Sequence, residues 1–389
     1  MAKKPLVNEA PPENNEYYLR ISKKLRNTKY LMLLLMVAAL IFTLWAYRSR
    51  LTYGNFRYLL RDIDEAGHTS LSTDAVYYTA NDTNAFLHFR GDLAVGSSDG
   101  ISFHRALGSR SFEDKVVFKS PVLAGSDKYM IAYDSGGKTF YVYNSISRVY
   151  SETLPHAIID IAAADNGNFA VLTKSDVGDF VIRVYDKNFS LVGEVNRSGF
   201  VYSLDFPEND RIFFAETYVS EAAIYSDALF YTVGQEDVEK AFTVQGLIFD
   251  ITKTKSGYAV LFDGGIEFYD ESYAKTDSHS FGTSDVVYGD KSKRGICVLL
   301  DTNRIGTSYS VFAAFDDGSS FTAEVDPGAR GAVLCKDAVC VLYDEYLLVC
   351  NADKAEKTDI SDGAKALLKR DDGSVIVCYN DYAKVYEVK

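Results

Sequence analysis

The chain has 389 residues, of which 47% are hydrophobic, 24% charged and 14% aromatic, a composition typical of a folded protein rich in strands. Its formal net charge is −13, but residues 1–50 hold nine basic and three acidic residues, whereas residues 51–389 hold 32 basic and 51 acidic ones. An acidic body argues against a nucleic-acid partner, because phosphate binding needs a basic surface.

Residues 1–29 form a basic tail whose first half is polar and predicted to be disordered. The uncharged run YLMLLLMVAALIFTLWAY follows at residues 30–47. As a helix rising about 1.5 Å per residue it spans roughly 27 Å, close to the ~30 Å hydrocarbon core of a bilayer. Seven basic residues precede the run and four follow it closely. The positive-inside rule therefore places the N-terminus in the cytoplasm and the large C-terminal part outside.

Two other interpretations of the apolar run are weaker. A core helix is disfavoured because the run is apolar on every face. A cleaved signal peptide is disfavoured because RSRLTYG, with no small-residue cleavage site, comes next. We therefore predict an uncleaved signal anchor in a single-pass protein of the cell membrane. Residues 48–70, which contain LTYGNFRYLLRDIDEA with near-helical apolar spacing, are predicted to form a juxtamembrane helix and linker.

From residue 71 onward a strand pattern repeats about every 40 residues. Its clearest element is a strand that ends in an aromatic or apolar anchor, often followed by Asp or Asn and a turn. The anchors are Phe103, Tyr143, Tyr185, Tyr225, Tyr269, Phe315, Cys350 and Tyr386. An apolar strand precedes each anchor strand, and Asn-Gly, Asp-Gly or Ser-Gly turns mark hairpins. Four antiparallel strands in about 40 residues are typical of one β-propeller blade.

The two ends of the repeat indicate how the propeller closes. The last unit has only three strands, whereas residues 75–80 supply an extra strand before the first full unit. We therefore expect the early strand to complete the last blade. The predicted fold is an all-β propeller of eight blades over residues 71–389. Seven blades is the alternative, if a weak unit such as 284–326 or 330–360 is not a blade.

All five cysteines, Cys297, Cys335, Cys340, Cys350 and Cys378, lie in the last quarter of the chain. Their odd number and the lack of Cys-x-x-Cys spacing argue against a disulfide framework or a zinc site. We expect them to be small buried core residues. One local disulfide, Cys335–Cys340 or Cys335–Cys350, is the alternative.

The sequence contains no recognisable catalytic or metal-binding motif. GSSDG at residues 96–100 matches G-x-S-x-G, but it joins two predicted strands, whereas the nucleophile motif needs a strand, a turn and a helix. The five histidines are scattered, and the Asp/Gly turns lack the calcium-binding loop that ends in Glu. We therefore expect no catalytic residue, no metal site, no cofactor and no enzymatic activity.

Propeller geometry indicates where binding residues would lie. Loops that join the outermost strand of one blade to the innermost strand of the next converge at the mouth of the central channel. The polar residues predicted there are His156, Arg197, Gln245, Arg330 and Asp362. Their mixed charge suits a polar ligand or a partner's loop, although solvated loop residues are the simpler interpretation.

The short basic tail, the single uncleaved helix and the Tyr- and Asp-rich propeller together resemble a Firmicutes family of single-pass, membrane-anchored β-propeller proteins with a domain of unknown function. The resemblance lies in the layout of the whole chain, and it implies fold and compartment but no functional residues. We expect an extracytoplasmic scaffold that binds an envelope protein or cell-wall polymer. The alternative is a glycan-binding receptor, or a hydrolase or lyase, with a polar site at the channel mouth.

Overall fold

The computed structural model describes residues 12–46, 75–105, 110–144, 147–176, 179–292, 294–315, 317–370 and 372–388. The chain divides into two compact units, Met1–Leu60 and Arg61–Lys389. The predicted juxtamembrane helix and linker of residues 48–70 lie outside the described residues.

The first unit contains one described helix, α1 (Pro12–Ala46), which begins within the basic tail. Its segment Tyr18–Thr43 is long and apolar enough to cross a membrane, and none of that segment is buried. A core helix would bury at least one face, and this segment buries none.

In the second unit, the described strands form eight antiparallel sheets of four strands each, which are the blades of a propeller. Blade 1 consists of β2 (Ala85–Phe89), β3 (Asp92–Ser97), β4 (Gly100–His104) and β5 (Arg110–Asp114), and blade 2 consists of β6 (Pro121–Gly125), β7 (Met130–Asp134), β8 (Thr139–Tyr143) and β9 (Arg148–Thr153). Blade 3 consists of β10 (Ile158–Ala163), β11 (Phe169–Lys174), β12 (Phe180–Tyr185) and β13 (Leu191–Arg197), and blade 4 consists of β14 (Phe200–Glu208), β15 (Arg211–Ser220), β16 (Ala223–Thr232) and β17 (Val238–Gln245).

Blade 5 consists of β18 (Ile248–Lys253), β19 (Gly257–Phe262), β20 (Gly265–Asp270) and β21 (Lys275–Ser280), and blade 6 consists of β22 (Asp285–Ser292), β23 (Gly295–Asp301), β24 (Tyr309–Phe315) and β25 (Ser320–Val325). Blade 7 consists of β26 (Gly331–Cys335), β27 (Ala338–Leu342), β28 (Tyr346–Cys350) and β29 (Ala355–Asp359), and blade 8 consists of β30 (Ala366–Lys369), β31 (Val375–Cys378), β32 (Tyr382–Tyr386) and β1 (Val76–Tyr77). The prediction of eight blades is confirmed.

The ring closes by strand exchange, as predicted. β1 pairs with β32 in blade 8, with Val76 opposite Ala383 and Tyr77 opposite Tyr382. The innermost strands contact one another in sequence, and β30 contacts β2. Because β1 lies at the start of the propeller sequence and β32 at its end, this pairing ties both ends of the domain together.

The core consists of apolar layers between neighbouring blades, with one cluster of described residues at each of the eight interfaces. Aromatic rings fill much of this space: Phe169 and Tyr185 stack at 4.7 Å, and Phe140 meets both rings from the preceding blade. Aromatic side chains bury large areas, so they stabilise these interfaces. The repeated Tyr and Phe anchors therefore serve packing.

The five cysteines are buried free thiols in blades 6 to 8. Each lies in one of the three inner strands of its blade. This confirms the prediction that they are core residues. Burial raises the pKa of Cys350 to about 11, and it raises the pKa of Cys378 further. Thiols with raised pKa values are poor nucleophiles.

The propeller has two faces. We call the face at which the innermost strands begin the upper face and the face at which they end the lower face. The upper face carries the loops between blades and the loops between second and third strands. The lower face carries the turns that join first to second and third to fourth strands. On the upper face, GSSDG forms the tight turn between β3 and β4, which confirms the hairpin interpretation.

One anchor occupies a different place from the one its repeat predicts. Tyr225 lies near the start of the third strand of blade 4, not at its end, because β15 and β16 are ten residues long. Other second strands have four to seven residues. The extra length places the turn of this hairpin beyond the rest of the upper face.

Candidate functional site

Four aspartates lie at or just beyond a bulge in four consecutive innermost strands of the described propeller. Asp160, Asp205, Asp250 and Asp290 lie in β10, β14, β18 and β22, and each of these strands has a bulge near its upper end. A bulge adds one residue and changes the direction of the side chains that follow it. The Asp is the first paired residue after the bulge in β10 and β18, the second in β14 and the third in β22.

Lys291 links two of these aspartates along the channel wall. Its Nζ lies 2.6 Å from Asp250 Oδ1, donates to the Ile251 carbonyl at 3.1 Å and also bonds Asp205. Lys291 belongs to blade 6 and Asp205 to blade 4, so this contact passes over the blade between them. Lys291 therefore connects blades 4, 5 and 6.

The charges in this network perturb one another. Burial disfavours the ammonium form of Lys291, but Asp250 and Asp205 outweigh it, so the pKa of Lys291 is raised. Burial also raises the pKa of Asp205, an effect that Lys291 opposes. About 30% of the Lys291 side chain remains accessible, because it borders the open part of the channel.

Further links of the same kind connect the other inner strands. Asp160 accepts the Leu204 backbone N–H of the next blade at 2.8 Å, and burial raises the pKa of its carboxyl. Asp290 accepts the Leu334 N–H of blade 7 at 3.0 Å and the Lys369 Nζ of blade 8 at 2.7 Å. These carboxylates hold the ring together by bonds between blades.

A cavity of about 330 Å³ opens at the lower end of the channel, where β14, β18 and β22 end. Its charged lining is already paired: Lys253 lies 2.8 Å from Glu271 and 3.5 Å from Glu208, and Lys291 bonds Asp205. Among the described residues no group of three His, Cys, Asp or Glu side chains could hold a metal ion. Ion pairs between blades thus hold the channel wall together, and a cavity lined by both acidic and basic residues lies below them.

The five residues predicted to bind a ligand lie on the upper face. His156 Nε2 is 3.7 Å from Asp176, and Arg197 Nε donates to Glu216 at 3.0 Å. Arg330 Nη1 lies 2.8 Å from Asp344 and donates to the Ala364 carbonyl at 2.7 Å.

The other two predicted residues, Gln245 and Asp362, are exposed on the same face. The recorded contacts of the five run within a blade or to the next blade, and none among the described residues joins two of the five. The structure therefore places them around the rim without assembling them into one pocket. Their role in binding stays a prediction.

Large apolar side chains are exposed together on the upper face of blades 4, 5 and 6. We name this set the upper apolar surface, and it comprises Phe200, Tyr218, Val219, Ile224, Phe249, Val287, Tyr288 and Ile305. Their exposed fractions range from 38% for Phe249 to 75% for Ile305. Exposed apolar residues concentrated on one face mark interaction sites in soluble domains.

Neither the channel network nor the upper apolar surface was predicted from the sequence. The signal for the network is the Asp that recurs in the first strand of consecutive repeats, in IIDIAA, VYSLDF, IFDITK and VVYGDKS. The upper apolar surface has a weaker signal, because an apolar residue at a strand end is equally expected in a core.

Comparison with known proteins identifies a family and a fold. Residues 68–359 match the family described as "Family of unknown function (DUF5711)". No curated protein matches the chain. Sqt1 of Saccharomyces cerevisiae is similar in structure, with a TM-score of 0.56 and 9% identity over 82% of this chain and 100% of that chain. A eukaryotic initiation factor is similar with a TM-score of 0.53 and 8% identity, over 84% of this chain and 89% of that chain.

At such low identity these two likenesses show the propeller fold alone. The family match is of a different kind, since it covers most of the chain, including blades 1 to 7. This protein therefore belongs to DUF5711, a family of unknown function whose member here is an eight-bladed β-propeller with one apolar N-terminal helix.

Proposed function

We propose that this protein is a membrane-anchored scaffold that binds another macromolecule of the cell envelope and catalyses no reaction. Residues 1–29 form the cytoplasmic tail, residues 30–47 cross the membrane, residues 48–70 link the two parts, and residues 71–389 form the extracytoplasmic propeller. The partner is an envelope protein, with cell-wall polymer as the second possibility.

The upper apolar surface carries this proposal. Eight large apolar side chains exposed on three consecutive blades leave a substantial apolar area in water, which a partner would cover. A rigid propeller suits this use, because its loops are held in place by the strands beneath them.

The channel network supports a scaffold over a glycan-cleaving enzyme. A glycosidase needs one carboxyl group that donates a proton and a second that acts as base or nucleophile. Asp205 and Asp250 instead bond Lys291, and Asp290 bonds Lys369. These ion pairs suit ring closure better than acid–base chemistry.

The proposal can be tested from outside intact cells with an engineered thiol. Since the five native cysteines are buried, a membrane-impermeant, thiol-reactive photocrosslinker would report only a new cysteine. We expect Ile305→Cys to react and, after illumination, to give discrete crosslinked proteins. Leu191→Cys is the matched control, because Leu191 is 49% exposed but lies on the lower face.

The outcomes separate the two parts of the proposal. If neither thiol reacts until the cells are permeabilised, the extracytoplasmic placement is wrong. If both react but Ile305→Cys gives no protein adducts beyond those of Leu191→Cys, the upper apolar surface is not an interaction site and the scaffold proposal loses its support.

A further inference from the structure

The hairpin between β15 and β16 projects above its neighbours. The innermost strand of blade 4 begins pairing at Phe200, opposite Thr217, whereas β15 continues to Ser220. Three further residues at about 3.3 Å each extend the hairpin roughly 10 Å beyond that level. The hairpin of blade 4 therefore forms a raised wall on the upper face.

Blade 5 has a short turn at the corresponding place, and blade 6 has a longer loop. In blade 5, Phe262 pairs with Gly265, so only Asp263 and Gly264 form the turn. In blade 6 the strands separate after Asp301 pairs with Tyr309, and a seven-residue loop, 302–308, follows. A long hairpin and a seven-residue loop thus flank a two-residue turn, and these lengths indicate a groove above blade 5.

The apolar side of the blade 4 hairpin faces this groove. Val219 and Ile224 are directly opposite each other, two positions beyond the pair Thr217 and Ser226, so all four side chains lie on one side. The Thr217 and Ser226 hydroxyls are 2.9 Å apart, and Ser226 Oγ donates to the Gly246 carbonyl at 2.7 Å. Gly246 lies in the loop that leads into blade 5, so Val219 and Ile224 overlook blade 5.

The opposite side of the hairpin is aromatic and faces away. Tyr218 and Tyr225 stack at 6.0 Å, and the Tyr218 hydroxyl donates to Asp227 at 3.4 Å. On this same side Glu216 bonds Arg197 of blade 3. The two sides of the hairpin therefore present different chemistry, and only the aliphatic side borders the groove.

The turn beneath the groove carries one carboxylate, and Arg304 of the 302–308 loop is already paired with Asp285 at 3.1 Å. Asp263 is exposed in the turn, where one of its oxygens accepts the Leu247 N–H at 3.1 Å. Glu221 is exposed at the tip of the hairpin. The residues beyond position 50 hold 51 acidic and 32 basic groups, so the domain as a whole attracts a cationic partner.

We propose that the groove above blade 5 binds a segment of a partner protein in which apolar residues flank a Lys or Arg. The proposal rests on the scaffold function and specifies its partner. The apolar residues of the segment contact Val219, Ile224 and Ile305, and its basic side chain reaches Asp263. Apolar contacts supply the affinity, and the charge pair selects the segment and its register.

The test places a photoreactive benzoylphenylalanine at position 219 of the full chain in its native membranes. Mass spectrometry then identifies the crosslinked peptide. We expect a partner peptide with apolar residues on both sides of a Lys or Arg. The crosslinking yield should fall about threefold in Asp263→Asn, since one partly exposed charge pair is lost.

The controls separate charge from folding. Asn keeps an oxygen for the Leu247 N–H, so Asp263→Asn should unfold at the same temperature as the parent chain. Asp277→Asn removes a 64% exposed carboxylate from the outermost strand of the same blade and should leave the yield unchanged. An equal fall in both variants would mean that general charge, not the groove, governs binding.

Several results would overturn the groove proposal. These are adducts on lipid, on residues 51–66 of the same chain, on a second copy of the chain, or on peptides that lack a basic residue. An unchanged yield in Asp263→Asn also overturns it. If Ile305→Cys still crosslinks to proteins in any of these cases, the scaffold function stands and only the groove is rejected.

Discussion

Lys291 is the residue on which the channel network depends. It is the positive partner shared by Asp205 and Asp250 and also donates to the Ile251 carbonyl. Removing one member of a partly buried ion pair is costly, because the remaining charges lose their partner and regain only part of their hydration. The two carboxylates would then repel each other inside the ring.

We expect Lys291→Met to lower the free energy of unfolding by about 2 kcal/mol at neutral pH, since hydrogen bonds to charged groups are lost. The pKa of Lys291 is raised in the folded state, so its contribution is present at neutral pH and disappears only as pH rises through that raised pKa. Urea denaturation of the full chain in detergent measures the difference.

The deficit of Lys291→Met should narrow as pH falls. Burial raises the pKa of Asp205, and protonation of that carboxyl removes the uncompensated charge. Lys354→Met is the control, because Lys354 and Glu356 form an ion pair with both side chains 55% exposed; it should change stability by less than about 0.5 kcal/mol. A deficit that is equal at all pH values would contradict an electrostatic role.

At the scale of elements, the blade 4 hairpin is long yet has an unfavourable turn. Glu221 and Ala222 form its two-residue turn, and their φ angles are 51° and 63°. Asn-Gly is preferred in such turns, because other residues meet steric resistance at positive φ. The hairpin that borders the proposed groove is therefore not optimised for stability.

We expect Ala222→Gly to raise the free energy of unfolding by about 0.5 kcal/mol, because relief at positive φ exceeds the added entropy of the unfolded chain. Gly136→Ala is the reverse control: Gly136 has φ 72°, and an added Cβ would meet nothing within 4 Å. It should destabilise through backbone strain alone. Thermal denaturation of both variants checks the opposite signs, and equal signs would refute the explanation.

At the scale of the whole molecule, closure depends on contacts between the two ends of the propeller. The Tyr78 hydroxyl donates to the carbonyls of Tyr379 at 2.8 Å and Tyr382 at 2.6 Å. Burial raises the pKa of Tyr78, so the hydroxyl remains a donor at physiological pH. Because Tyr78 and Tyr379 are 301 positions apart, this bond helps to close a loop that spans most of the domain.

We expect Tyr78→Phe to lower the free energy of unfolding by about 1 kcal/mol, because the buried Tyr379 carbonyl loses a donor, whereas the Tyr382 carbonyl still accepts the Tyr379 N–H. Tyr77→Phe is the control, since Tyr77 is 67% exposed and its loss of a hydroxyl should be nearly neutral. Denaturant titration of both variants measures the difference. If Tyr78→Phe is also neutral, closure relies on the β1–β32 pairing and not on this hydroxyl.

The fold was more predictable than the site, for a reason visible in particular residues. The turn at Gly100 and the aromatic end of β12 at Tyr185 are local features that a short window of sequence contains. Tyr225 was assigned to the wrong end of its strand, because EAAIYS has the same pattern whether it begins or ends a strand. The predicted rim residues, such as Arg197, pair locally and do not converge.

The sequence by itself determined the blade repeat, the closure of blade 8 by the first strand and the apolar character of the N-terminal helix. These depend on alternation, turn chemistry and hydropathy, which act over a few residues. Only the tertiary structure decided that Lys291 meets Asp205, 86 residues away, and that the long hairpin of blade 4 stands beside the short turn of blade 5. Both depend on the radius of the ring and on the relative heights of neighbouring loops, which arise only when all eight blades pack together.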